Sequence, residues 1–245
     1  MGPVARVELA AYDEAFTAAL DVRACASAFP RGSAFVSLGQ NCSTAWYLQL
    51  VGKRACAYPF DWIFSSPQIV EHCLRDDFRA FLDKELLVPV DASCAGHARY
   101  HARLFNHRNA LLEEHHAHYV RSFGRFRALM DSERPVVFVS TALPEHAARP
   151  ARRDGFVYDY AAPANVDALS EYEALHALVT ARAAPTWLVV IEQRTNRDRA
   201  RVDVRAHGGD FIVVRFDVCG ASNGVNYVHP IDDSLARVLY ASIGG

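Results

Sequence analysis

Short, almost wholly apolar runs recur along this chain, each set apart from the next by stretches with helical spacing. The runs are Phe35–Leu38, Val136–Ser140, Trp187–Ile191 and Phe211–Phe216. They are too apolar for half-exposed strands, so they predict strands covered on both faces. Recurrence at three and four residues predicts helices between them. One covers 5–28, with Val7, Leu9, Ala10, Phe16, Ala19 and Leu20 as its stripe. Others cover 45–50, 67–74, a short stretch from Asp76 carrying Phe78, Phe81 and Leu82, 109–130 with a bend near Gly124, 166–182, 196–206 and 232–241. Ser66 before Pro67 reads as an N-cap with proline at the first helical position, and Asn165 is placed to cap the helix that follows it. Residues 85–98 read as loop, with Val88-Pro89-Val90 extended, and Arg99–Phe105 as a short strand or irregular chain.

Strand and helix alternate four times. The prediction is an α/β fold: a doubly wound, mostly parallel sheet with helices on both faces, a three-layer sandwich. Residues 1–245 read as a single α/β domain, with 1–30 as an N-terminal helical extension. In such sheets ligands bind beyond the carboxyl ends of the strands. The corners there are Gly39–Ser43, Thr141–His146, Glu192–Asn196 and Asp217–His229, and all are polar.

Composition narrows the classes. Lys and Arg number 26 against 28 Asp and Glu, for a net charge of −2, so a nucleic-acid partner is not expected. No run approaches the length of a membrane span, and the N-terminus lacks the apolar core of a secretory signal. Six widely spaced cysteines without a CxxC pair fit reduced thiols, so a cytoplasmic location is expected. No nucleotide-binding glycine motif is present, and no cofactor is expected.

The first corner carries the chemistry. Cys42 stands where a strand turns into a helix, and unpaired N–H groups at a helix start favour a thiolate. The competing reading is a small residue packing the corner. Gln40 and Asn41, with the backbone N–H groups at Cys42 and Ser43, are placed to hold an oxyanion, or simply to shape the turn. His229, in the last corner of the same sheet edge, is a candidate base. Asn226 could orient its ring, as could Asp232 or Asp233, although Asp232 reads first as a helix cap. Asp61 is a candidate for orienting a base or touching substrate. Its plainer reading is a loop carboxylate bonded to backbone N–H groups. The run Glu113–His118, with His97 and His101, offers i,i+4 pairs that could share a metal, or a polar helix face. Arg194, Arg197, Arg199 and Arg201 could meet a phosphate, or line a solvated helix.

SLGQNCSTAWYL, Gly52-Lys53-Arg54, Tyr58-Pro59-Phe60-Asp61-Trp62 and Asp76-Asp77-Phe78 together resemble the DUF1796 group of bacterial papain-like cysteine peptidases. The resemblance is specific over 35–82. It implies a nucleophilic role for Cys42. It also implies a base in a later aromatic–X–His segment, for which Phe105-Asn106-His107 is the nearest match, with Arg108 where an acid would stand. A papain-like fold implies an antiparallel barrel, whereas the strand pattern predicts a parallel sheet. The placement of Cys42 and His229 is also similar to the SGNH hydrolase arrangement, with Asn226 three residues before His229.

The expected function is therefore a cysteine-nucleophile hydrolase or acyltransferase acting on an ester, thioester or amide of a small-molecule or peptide/acyl substrate. Its base is His229 or His107. The alternatives are a non-catalytic binding module of a sugar or polysaccharide pathway, and a metal-dependent enzyme using the histidine-rich region.

Overall fold

The computed structural model describes residues 3–26, 29–143 and 168–244. In chain order the elements are α1 (Pro3–Ala26), β1 (Ala34–Ser37), α2 (Ser43–Leu50), α3 (Pro67–Arg75), α4 (Arg79–Leu82), β2 (Leu87–Pro89), β3 (Ala95–His97), β4 (His101–Phe105), α5 (Glu113–Met130), β5 (Val136–Ala142), α6 (Ala168–Val179), β6 (Thr186–Arg194), β7 (Arg201–His207), β8 (Phe211–Asp217) and α7 (Pro230–Ser242).

The main sheet has the order β1-β5-β6-β8-β7. β1, β5, β6 and β8 run parallel, and β7 closes the far edge antiparallel to β8. Alternate side chains of each strand enter different cores. Val36, Phe138, Val190 and Val213 face α3, α5, α6 and the small sheet. Val137, Val139, Ile191 and Val214 face α1, α2 and α7. The α/β sheet with helices on both faces is thus the observed architecture. The strands β1, β5, β6 and β8 are laid down in one direction, and the second face is covered by α1, α2 and α7 near the chain ends.

Several local expectations are corrected. The segment predicted helical over 196–206 contains β7, because Val202, Val204 and Ala206 alternate with polar residues at the strand period. The arginines there pair with acids: Arg199 with Glu14, Arg201 with Asp203, and Arg194 with Asp217 at 3.7 Å. Residues 85–98 hold a 3₁₀ turn (Lys84–Leu86), β2 and β3, which with β4 make a separate antiparallel sheet. Gly96 permits its tight pairing, since a Cβ there would lie 2.2 Å from the Ala102 carbonyl oxygen. α5 begins at Glu113, after a turn that leaves Leu111 and Leu112 exposed, and runs unbroken through Gly124. α1 buries Tyr12, Ala15, Ala19 and Val22 and leaves Leu20 exposed, so its inner face is rotated from the predicted stripe. Ser66 caps α3 as predicted, accepting from the Ile69 N–H at 3.2 Å. Asn165 and the Pro144–His146 end of the second corner lie outside the described residues. Among the described residues no helix is long and apolar enough to cross a membrane.

Candidate active site

β1 ends at Ser37, and the chain turns through Leu38–Asn41 into α2. Gly39 has φ +89°, and a Cβ there would lie 1.8 Å from Ser65 Oγ, so the corner accepts only glycine. The Gly39 carbonyl receives the Thr44 hydroxyl at 3.1 Å, the Ser140 hydroxyl at 3.0 Å and the Thr141 N–H at 2.8 Å. Ser65 clasps the other side, its hydroxyl donating to the Leu38 carbonyl at 2.6 Å and its N–H to that of Gln40 at 3.2 Å. The preceding Phe64 N–H donates to the Leu104 carbonyl of β4 at 3.3 Å. The segment after PFDW therefore ties the first corner to the small sheet.

That tie brings two distant side chains together. Cys42 is the N-cap residue of α2, and its Sγ lies 3.1 Å from His107 Nε2. His107 arrives on the turn that leaves β4, from a sheet periodicity did not predict. Cys42 is 3% exposed, and burial pushes its thiol up to about 12. Burial also lowers the His107 imidazole below the ordinary histidine value of 6.5. Both shifts favour uncharged forms. Burial thus works against the thiolate that a helix start favours, and the two side chains remain within hydrogen-bonding distance of each other.

The neighbouring polar groups have defined tasks. Asn41 Oδ1 accepts from the Ser43 N–H at 3.1 Å and the Ser43 hydroxyl at 2.5 Å. The Ser43 N–H is therefore already engaged. Asn41 Nδ2, on the residue preceding Cys42, is buried without a hydrogen-bond partner among the described residues. Gln40 Oε1 accepts from the Leu143 N–H at 2.8 Å and links the first corner to the second. Asp61 is 1% exposed; its Oδ2 accepts from Arg54 Nε and from the Tyr58 N–H, each at 2.8 Å. Burial pushes its carboxyl up to about 6 against the pull of Arg54 and of that N–H.

His229 stands apart from this pair. It is the N-cap of α7, half exposed, with its ring stacked on Tyr12 at 6.5 Å and Nδ1 4.0 Å from Asp232. Asn226 does not orient it; its Oδ1 accepts from Asn223 Nδ2 at 2.7 Å in a surface turn. Asp232 is not a cap either. Fully buried, it accepts from the Tyr12 hydroxyl at 2.6 Å and the Gly220 N–H at 2.7 Å, pinning α1 and the last corner to α7. Asp233 accepts from the Tyr47 hydroxyl at 2.6 Å.

The histidine-rich region is used locally. His97 and His101 face each other across β3 and β4, not along a helix. His97 Nε2 meets the Ala80 carbonyl at 2.9 Å, His116 Nε2 that of Leu82 at 2.9 Å, and His115 Nδ1 that of Asn109 at 3.2 Å. Burial, then Arg108, Arg125 and Arg121, lower His118 to about 4, a setting that repels cations. Among the described residues no three His, Cys, Asp or Glu side chains converge to hold a metal ion.

Fold and site together define an α/β protein with a cysteine–histidine pair beyond the carboxyl end of its first parallel strand. Residues 33–111 match a family model described as "Putative papain-like cysteine peptidase (DUF1796)". The matched stretch bears out the resemblance and spans both Cys42 and His107. No curated protein and no solved structure matches the chain.

Proposed function

We propose that the protein carries out cysteine-dependent acyl chemistry, with Cys42 as nucleophile and His107 as its base. The observation that carries this reading is the 3.1 Å approach of His107 Nε2 to Cys42 Sγ at the sheet edge. Sγ attacks a carbonyl carbon while its proton passes to Nε2. The free Asn41 Nδ2 receives the developing oxyanion. Collapse breaks the bond to the leaving group, which takes the proton back from His107, and an acyl thioester remains on Cys42. Water or an acceptor nucleophile then cleaves it, giving hydrolysis or transfer. Because both partners rest uncharged, His107 acts as a general base during attack.

The test uses p-nitrophenyl acetate, an activated ester, with peptide mapping of the acetylated thiol. Wild type is expected to be acetylated at Cys42 in preference to its other five cysteines. His107→Ala should slow that event about 10²–10⁴-fold, the usual worth of a positioned base. Acetylation spread over the other thiols, with Cys42 spared, sinks the proposal.

A further inference from the structure

His107 lacks the support that a catalytic histidine ordinarily has. Its Nε2 faces Cys42, and among the described residues no hydrogen-bond partner meets Nδ1. Among the described residues no carboxylate or amide fixes the ring from behind. A free imidazole rotates about its side-chain bonds, and each wrong rotamer takes Nε2 away from the sulfur. Something else must hold it.

Among the described residues one ring contact is present. The indole of Trp62 meets the His107 ring at 6.0 Å between centroids, with 77° between planes, an edge-to-face pair. The indole is held in turn. Arg54 Cζ lies 5.8 Å from its centroid, within cation–π range. Arg54 is fixed by Asp61 at 2.8 Å and by Gln49 Oε1 at 3.1 Å. Asp61, buried and also bonded to the Tyr58 N–H, is the anchor of the series. An anchored carboxylate thus sits two groups behind the base, and the indole transmits its placement by packing.

We propose that Trp62 is the positioning residue of His107, held by Arg54 and Asp61, in place of a hydrogen-bonding partner on Nδ1. This rests on the reading of Cys42 and His107 as nucleophile and base. It gives the Asp61-Trp62 pair of PFDW one shared task. Trp62 packs against the base and Asp61 secures the arginine behind it.

The experiment compares Trp62→Phe and Trp62→Leu with wild type in two measurements. The first is the rate of Cys42 acetylation by p-nitrophenyl acetate. The second is the titration of the His107 ring protons by NMR, which needs no acyl chemistry. Leucine fills space without offering a ring and should slow acetylation about tenfold, the rate equivalent of one aromatic pair. It should also move the His107 titration up toward 6.5, because the indole no longer shields the ring from water. Phenylalanine keeps an aromatic partner and should restore both readouts to near the wild-type values. A leucine variant that acetylates and titrates like wild type overturns the proposal, as does a phenylalanine variant as impaired as leucine. If wild type is not acetylated at Cys42, the nucleophile reading has failed. The NMR titration then decides the placement of the ring on its own.

Discussion

At the scale of single residues, burial decides the charge states. Cys42 is pushed up to about 12 and His107 is pulled down, so neither gains a charge from the other at rest. Asp61 shows the same effect with consequences for stability. Its folded value, raised from 3.8 to about 6, means that the folded protein holds this proton more tightly than the unfolded chain does. Its stabilising effect is therefore complete below pH 3.8 and is lost as pH rises through about 6. Denaturant melts of wild type and Asp61→Asn should show the wild-type advantage shrinking by about 3 kcal/mol between acid and neutral pH. An advantage that grows with pH would mean that Arg54 outweighs burial. The residues differ in how readable they were. Cys42 was visible because an apolar run, a glycine and a polar corner precede an amphipathic stretch. Trp62 was not, because an aromatic in a loop looks the same whether it packs a core or a base.

At the scale of elements, the long apolar strands were legible and the short polar ones only in part, β4 falling within the Arg99–Phe105 stretch that could be strand or irregular chain. β5, β6 and β8 announce themselves by Val, Ile and Phe in succession. β2 and β3 are three residues each, and Pro89 and Gly96 within them look like loop chemistry. Yet this small sheet delivers His107, so periodicity pointed to His229 and only the family resemblance pointed to His107. α7 was legible as a helix, but the role of its acids was not. Asp232 looks like a cap in sequence and serves as a buried acceptor for α1. Tyr12→Phe removes the hydroxyl donor from that carboxylate while leaving the ring. A loss of about 1.5–3 kcal/mol in stability is expected, the range for a hydrogen bond to a charged group. Chemical denaturation measures it, and an unchanged midpoint would show that α1 is held by packing alone.

For the whole molecule, the organising fact is that both halves of the site reach one edge of the parallel sheet by different routes. Cys42 follows the first strand directly. His107 returns from an inserted sheet, joined to the Cys42 corner by Phe64 and Ser65. The parallel strands and the helices on both faces could be read from the alternation of apolar runs with helical spacing. The separation of 65 residues between sulfur and imidazole could not, because no local pattern records which loops meet. The most direct test of the central claim is the pH dependence of Cys42 acetylation in wild type and His107→Ala. A neutral imidazole is the competent form, so the wild-type rate should rise with pH and level off around a midpoint below 6.5. That limb should vanish in His107→Ala, leaving a slow rate that climbs only as the thiol itself ionises. An identical profile in both proteins would contradict the account.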